Sequence, residues 1–215
     1  MISAGNDIVA LKAINITRTK QQNFYRKIIT ETEKALYDKP FSEGLPFEQF
    51  VWLLWTIKES VYKYLQRINP GLIFSPTKIV IGQLDPPSNN TISIFESRGF
   101  NDPKVYKGTA EFGAHILYSR SIITEDFIFS VVNHINGFER VMWGIKLIDS
   151  SEPDRQSDAV RVFAIAMLSS LFPDAELEIG KSVYGYPVLL KNGDETPVPI
   201  SLAHHDRYVA YSFQM

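Results

Sequence analysis

Glu59 and Lys63, four residues apart, are the side chains whose types and spacing most directly suggest chemistry in this sequence. Residues four apart on a helix project from the same face. A glutamate and a lysine placed in this way can serve one ligand, the carboxylate through a bound cation and the ammonium directly. The same pair is also a common surface ion pair, worth about 0.2–0.5 kcal/mol. The spacing alone leaves both interpretations open.

The element that carries this pair is predicted to be an amphipathic helix. Pro46 lies near its first turn, where a missing N–H costs nothing, and the helix is expected to end before Asn69-Pro70-Gly71. Trp55, Glu59 and Lys63 form one stripe along it. The neighbouring apolar stripe, which recurs at three and four residues and is interrupted by Lys58, comprises Phe47, Phe50, Val51, Leu54, Val61 and Leu65.

The segments around this helix favour an α+β fold. Residues 2–15 predict a short strand that delivers the carboxylate of Asp7, and residues 20–38 predict a polar helix. From residue 77 to residue 135, β-branched and aromatic side chains alternate with a period of two, which predicts an antiparallel sheet. Its strands are expected at Lys78–Ile81, Thr91–Phe95 and Asp126–Val132.

The C-terminal third begins with a polar, turn-rich segment at residues 149–154, which is the best candidate for a boundary between lobes. A helix should follow and stop at Phe172-Pro173. Its predicted buried face comprises Val160, Phe163, Ala164, Met167, Leu168 and Leu171. Short strands joined by turns are expected from Glu176 to Phe213.

The composition is that of an ordinary globular protein, with 45% hydrophobic and 21% charged residues among 215. A formal charge of −2 favours neither a nucleic acid nor a membrane surface as the main partner. The absence of cysteine excludes disulfides, thiolate metal sites and cysteine nucleophiles. The N-terminus lacks a signal-like basic and apolar pattern, and no apolar run approaches the ~20 residues of a membrane span. We expect a cytoplasmic protein.

The helix segment Trp55–Lys63 resembles the W-S/T-x-K-E-S-x-x-K motif of the 4′-phosphopantetheinyl transferase superfamily. The resemblance implies that Glu59 binds Mg²⁺ and that Lys63 approaches the phosphates of the substrate. The strand segment Gly5–Val9 resembles the family's G-I/V-D-I/V-E/V strand, which implies that Asp7 is the other metal ligand. Between them, Phe24–Glu33 is similar to a third family stretch, F-x-x-K-I/V-L/F-T-x-x-E.

Near the C-terminus, the segment Pro199–Ala210 resembles the family's S-H-x-G-R loop, which grips the phosphates of coenzyme A. This implies that His204 binds phosphate, with Arg207 as a secondary contact. The usual serine is replaced by Ala203 and the usual glycine by Asp206. Two further phosphate contacts are implied in other segments, Lys58 in the helix motif and, more weakly, Arg161 in the C-terminal helix.

The order of these motifs favours two similar lobes, each a helix packed on a small antiparallel sheet, as in the surfactin-synthetase type of transferase. That type carries the S-H-x-G loop ahead of the metal-binding half, whereas here the loop comes last. We therefore expect swapped lobes, with residues 1–148 binding metal and residues 149–215 binding the nucleotide. The small trimeric holo-acyl-carrier-protein synthase type is the alternative, but the length of the chain favours a monomer.

The activity implied by the resemblance is Mg²⁺-dependent transfer of 4′-phosphopantetheine from coenzyme A to a serine of an acyl or peptidyl carrier protein. Adenosine 3′,5′-bisphosphate is released, and the pathway would be fatty-acid, polyketide or peptide synthesis. The alternative is a catalytically silent relative that binds coenzyme A or a carrier protein without transfer. Its evidence is Val9, Ala203, Tyr186 and Asp206, which depart from the family motifs. A generic α+β binding protein remains if the motif matches are coincidental.

Overall fold

The computed structural model describes residues 5–38, 41–87, 96–98 and 105–215. The α-helices of this part are α1 (Ile16–Thr19), α2 (Gln22–Tyr25), α3 (Glu31–Ala35), α4 (Phe47–Gln66) and α5 (Pro153–Leu171). The strands are β1 (Gly5–Ala10), β2 (Val80–Asp85), β3 (Glu96–Arg98), β4 (Tyr106–Phe112), β5 (His115–Ile123), β6 (Phe127–Asn133), β7 (Val141–Leu147), β8 (Leu177–Lys181), β9 (Pro187–Lys191), β10 (Asp194–Glu195), β11 (Ile200–His205) and β12 (Tyr208–Gln214). Within the described ranges, no helix combines the length and apolarity that a membrane span requires.

The strands form three antiparallel sheets, which confirms the predicted α+β class. The first sheet has the order β1-β6-β5-β4-β2, the second β11-β12-β7-β3, and the third β10-β9-β8. Strands that follow one another in sequence often pair, as β4, β5 and β6 do. The predicted strand at Thr91–Phe95 lies outside the described residues.

The two long helices pack on the first two sheets. α4 packs on the first sheet through buried side chains such as Leu53, Leu54 and Ile57. α5 packs on the second sheet through Ala164 and Leu168, which contact the aromatic side chains of β12. Both helices were predicted from their apolar stripes.

A third apolar cluster lies between the first two sheets. Its members from the first sheet include Ile8 and Phe129, and those from the second include Trp143, Ala203 and Ala210. The two sheets therefore share one core, and each carries a helix on its other face.

The first two sheets meet along β1 and β11. The backbone N–H of Asn6 donates to Oγ of Ser201 at 3.0 Å, and the N–H of Ala10 donates to Nδ1 of His205 at 3.1 Å. The two strands thus run side by side in the same direction, joined by side chains of β11. This seam brings a segment near the N-terminus beside one near the C-terminus.

The division of the chain after residue 148 stays a prediction. The strand β7 precedes this point, yet it pairs with β12 in the second sheet. The second sheet therefore combines strands from both predicted lobes, while its helix α5 follows the division.

The single helix predicted for residues 20–38 is wrong, because that segment contains α2 and α3 and follows α1. The backbone of Thr30 is extended, and its side chain accepts a hydrogen bond from the N–H of Glu33 while Glu33 bonds back to Thr30. This capping box starts a new helix. Asn15 caps α1 in a similar way. Polar side chains that cap the backbone divided the segment into short helices.

The approach of α4 to the first sheet depends on small residues. A Cβ atom at Gly5 would overlap the carbonyl oxygen of Ser60. On the same side of α4, Oγ1 of Thr56 and Oγ of Ser130 on β6 are 2.8 Å apart, and Oγ of Ser60 donates to the carbonyl oxygen of Ser130 at 3.2 Å. Hydroxyl groups therefore join helix and sheet where large apolar side chains would hold them apart.

We predict that Gly5→Ala lowers the free energy of unfolding by about 1–3 kcal/mol or more, because the new methyl group meets helix backbone that has no room to move. Urea denaturation measures this change. Gly44→Ala is the matched control, since nothing lies within 4 Å of a Cβ at that position. Equal stability of the two variants would contradict the close approach of β1 to α4.

Candidate active site

Asp7, Glu59 and Lys63 form one cluster at the side of α4 that contacts β1. Nζ of Lys63 donates to Oδ1 of Asp7 at 2.9 Å and lies 3.7 Å from Oε1 of Glu59. The side chain of Asp7 is 6% exposed, whereas those of Glu59 and Lys63 are about one quarter exposed. The structure therefore brings together the three residues that the motifs singled out, with a cation between two carboxylates.

Burial dominates the electrostatics of this cluster. Desolvation raises the pKa of Asp7 to about 7, aided by the charge of Glu59 and opposed by that of Lys63. Burial also acts to lower the pKa of Lys63, but the charges of Asp7 and Glu59 outweigh it, so the pKa of Lys63 is raised. One ammonium thus compensates two carboxylates incompletely, and a further cation would be favourable here.

His204 on β11 lies within electrostatic reach of this cluster. Its pKa is lowered, first by burial and then by the positive charges of Lys63 and Arg161. Strand alternation puts His204 on the same face of β11 as Ile200 and Leu202, which pack with α5. The imidazole therefore faces the region between α4 and α5 along the seam of β1 and β11, called the groove below. At neutral pH the ring is uncharged and offers one N–H donor.

The neighbouring His205 holds the seam together. Its Nδ1 accepts the backbone N–H of Ala10, so this nitrogen carries no proton. Burial lowers the pKa of His205, which keeps the ring neutral. Successive residues of a strand point to opposite faces, which explains why one histidine of the pair joins the sheets and the other faces the groove.

Lys58 is not a phosphate contact in this structure, contrary to the prediction. Its side chain is fully buried, and Nζ donates at 2.7 Å both to Oε2 of Glu33 and to the carbonyl oxygen of Ile28. Oε1 of Glu33 in turn accepts the N–H of Ile81 at 2.8 Å. The lysine therefore joins α4 to α3 and β2, because it replaces an apolar residue in the buried stripe of the helix.

Arg207 also lies away from the carboxylate cluster. It is in the turn between β11 and β12, where Nε donates to the carbonyl oxygen of Ile148 at 3.0 Å. Nη2 lies 3.7 Å from Asp149, and both side chains are largely exposed. The described contacts of Arg207 thus tie the hairpin to the end of β7 and do not reach Asp7 or Glu59.

Arg161 is fixed by its own helix and by β8. Nη1 donates to the carbonyl oxygen of Ser157 at 2.8 Å and also contacts its hydroxyl, and Nε donates to the carbonyl oxygen of Ile179 at 3.2 Å. Its charge still acts on His204. The phosphate contact of Arg161 stays a prediction, and two of its three nitrogen atoms are engaged by the protein.

A cavity of about 200 Å³ continues the groove beyond Lys63. It is lined by Tyr62, Lys63, Gln66, Arg67, Gly185, Tyr186, Pro187, Ser201 and Leu202. Arg67 and Ser201 were not predicted. Arg67 continues the stripe of Trp55, Glu59 and Lys63 at the same spacing of four, which was a signal in the sequence. Ser201 gave no signal in the sequence, because its role depends on the contact with β1.

Asp7 and Glu59 supply hard oxygen ligands of the kind that Mg²⁺ prefers. No group of three or more metal-binding side chains occurs among residues 5–38, 41–87, 96–98 and 105–215. Mg²⁺ commonly keeps several waters and needs only one or two carboxylates together with substrate phosphates. The two carboxylates therefore fit a magnesium ion whose other ligands would be water and substrate oxygens.

We predict that Lys58→Met lowers the free energy of unfolding by about 3–5 kcal/mol, because it leaves Glu33 buried without its cation. Urea denaturation measures the loss, and Glu33→Gln in the same chain should restore part of it. The exposed Lys27→Met is the matched control, with a change within about 0.5 kcal/mol. A stable Lys58→Met protein with weaker coenzyme A binding would instead restore the phosphate-contact interpretation.

We predict that stability falls as the pH rises from about 4 to 7, because of Asp7. Its pKa is about 7 in the folded chain and about 3.9 in the unfolded chain. The folded state thus binds more protons in this window and loses stability as they are released. Urea denaturation at pH 5 and pH 8 measures this change. Between these two pH values, the free energy of unfolding should fall on the order of 2 kcal/mol further in the wild type than in Asp7→Asn. Parallel pH profiles would contradict this.

The comparison with protein families is consistent with this geometry. A model described as the 4′-phosphopantetheinyl transferase superfamily matches residues 3–117, more than half of the chain. The match includes Asp7, Glu59 and Lys63 but ends before α5 and β11. No curated protein and no solved structure matches the chain. The family indicates a transferase that acts in phosphopantetheinyl transfer. The chain belongs to the 4′-phosphopantetheinyl transferase superfamily.

Proposed function

We propose that this protein transfers 4′-phosphopantetheine from coenzyme A to a serine of an acyl or peptidyl carrier protein, in a Mg²⁺-dependent reaction of the holo-acyl-carrier-protein synthase type. The observation that carries the proposal is the position of Nζ of Lys63, 2.9 Å from Asp7 and 3.7 Å from Glu59. This arrangement combines a cation-binding carboxylate pair with a phosphate-binding cation at one point of the groove.

Asp7 and Glu59 are the residues that would hold the magnesium ion. The ion would neutralise charge on the pyrophosphate oxygens as the phosphoryl group is transferred. Val9, two residues beyond Asp7, is buried and apolar, so the strand offers no third carboxylate at that position. Water and substrate oxygens would supply the other ligands of the ion.

Lys63 and Glu59 have complementary parts in the reaction. The serine oxygen of the carrier forms a bond to the β-phosphorus of coenzyme A, and the bond from that phosphorus to the bisphosphate leaving group breaks. Glu59, which is partly exposed, accepts the serine proton directly or through water. Lys63, whose pKa is raised, stays protonated and donates a hydrogen bond to a phosphate oxygen of the leaving group.

His204 and Arg161 extend phosphate binding to the far side of the groove. A neutral imidazole donates one N–H to a phosphate oxygen without adding a buried charge. Nη2 of Arg161 has no hydrogen-bond partner in the part of the chain that the structure describes, so it remains available to an anion. Arg207 has no direct role in this proposal.

The positions of two family departures favour an active enzyme over a silent relative. The side chain of Ala203 is buried in the core between the sheets, so a serine there would not face the groove. Asp206 lies in the turn after β11 with a φ of 53°, a backbone conformation that aspartate tolerates better than most residues. Both departures are accommodated by the fold, whereas Asp7, Glu59 and Lys63 are all retained.

The same geometry supports the proposed order of functions along the chain. The metal-binding carboxylates are on β1 and α4, and the second side of the groove is formed by β11 and α5. We therefore keep the assignment of residues 1–148 to metal binding and residues 149–215 to nucleotide binding. We also propose that a cytoplasmic monomer suffices, since both sides of the groove belong to one chain.

We predict that the wild-type protein adds one phosphopantetheine to a serine of at least one apo carrier protein when coenzyme A and Mg²⁺ are present. Intact-protein mass spectrometry of a panel of acyl and peptidyl carrier proteins measures this gain. Glu59→Gln should lower the rate by a factor on the order of 100 or more, since it removes both a metal ligand and the serine base. Omission of Mg²⁺ should have a similar effect.

Glu178→Gln is the matched control, because Glu178 is exposed on β8 and should leave the rate unchanged. Mg²⁺-dependent binding of coenzyme A without transfer to any carrier would favour the silent relative. The transferase proposal fails if neither transfer nor Mg²⁺-dependent binding occurs.

A further inference from the structure

Arg67, the C-cap residue of α4, connects this helix to two segments of the C-terminal part of the chain. Its Nη2 donates to the carbonyl oxygen of Pro187 at 3.1 Å and to that of Ile200. Its guanidinium carbon lies 5.1 Å from the centre of the Tyr186 ring, the distance of a cation–π contact. One side chain therefore holds the turn Tyr184–Pro187 and the start of β11 against the helix.

The side chain of Arg67 is partly buried. Burial lowers its pKa to about 10, while the fields of Tyr186 and Glu195 act in the opposite direction. The side chain still carries its charge at neutral pH. Hydrogen bonds from a charged donor are stronger than those between neutral groups. Loss of the two carbonyl contacts should therefore weaken the attachment of both segments to α4.

Without Arg67, the turn Tyr184–Pro187 is held mainly at its base. The N–H of Ser182 donates to the carbonyl oxygen of Tyr186, and the N–H of Gly185 donates to that of Ser182, both at 2.9 Å. Gly185 has a φ of 88°, which only glycine adopts readily. Val183, at the tip, is 94% exposed. The hairpin is thus closed on itself but needs a separate contact to fix its position relative to α4.

The position of this turn matters because it forms one side of the cavity that adjoins Lys63. Gly185, Tyr186 and Pro187 line that cavity together with Lys63 and Arg67. Lys63 belongs at the same time to the carboxylate cluster. The distance between α4 and the turn therefore sets the width of the groove next to the reacting centre.

We propose that Arg67 is a positioning residue for coenzyme A: it fixes the turn Tyr184–Pro187 against α4 and so preforms the side of the groove that receives the substrate. This inference rests on the proposed function for the identity of the substrate. Arg67 thus places a positive charge from α4 over the ring of Tyr186, which lines the same cavity.

The first test is hydrogen–deuterium exchange, which does not depend on activity. In Arg67→Met, amides of residues 182–190 should exchange about tenfold faster than in the wild type, because the carbonyl contacts are lost. Arg67→Lys should restore part of the protection. Arg140→Met, at an exposed loop position, is the control. Unchanged exchange in a folded Arg67→Met protein would overturn the proposal, whether or not transfer is observed.

The second test is steady-state kinetics with an accepting carrier protein. Arg67→Met should raise the KM for coenzyme A about tenfold while kcat stays within about twofold and the KM for the carrier is unchanged. If Arg67→Met folds poorly, Tyr186→Leu is the second variant. It leaves α4 intact and should raise the same KM. A fall in kcat with an unchanged KM would overturn the positioning role. Absence of wild-type transfer would count against the proposed function, and the exchange experiment would still decide the role of Arg67.

Discussion

The close contact of α4 with β1 and β6 is the constraint on which the rest of the structure depends. Gly5 has no side chain, so the strand approaches the backbone of Ser60, and the hydroxyls of Thr56 and Ser60 bond to Ser130. This contact places Lys63 between Asp7 and Glu59. Gly5, two positions before Asp7, is therefore part of the site, although it takes no part in the chemistry.

The same contact creates the electrostatic character of the site. A strand pressed against a helix excludes water, which raises the pKa of Asp7, while the partly exposed Glu59 and Lys63 keep the cluster open to ligands. Two carboxylates and one ammonium leave a site that gains from another cation. On the other side of the groove, the lowered pKa of His204 keeps a neutral donor opposite them. The seam of β1 and β11 holds these two sides together through Ser201 and His205.

Features determined by local spacing could be predicted from the sequence, and those that depend on distant partners could not. The stripes of α4 and α5 predicted both helices, and the motifs identified Asp7, Glu59 and Lys63 correctly as neighbours. Lys58 was misassigned although it interrupts the buried stripe, because its partner Glu33 is far away in the chain. The prediction of one helix at residues 20–38 failed because the capping preference of Thr30 outweighed the helical periodicity.

The groove as a whole depends on partners distant in sequence. The resemblance singled out His204, but the contact of the adjacent His205 with β1 required the fold, because strand alternation places the two rings on opposite faces. Arg67 was visible as the fourth member of a stripe, but its contacts with Pro187 and Ile200 required the fold. The most direct test of the account is a crystal structure with coenzyme A and Mn²⁺, with anomalous scattering used to locate the metal. We expect one metal ion bound by the carboxylates of Asp7 and Glu59, with the pyrophosphate beside Lys63. A metal bound elsewhere, or a nucleotide outside the groove, would contradict it.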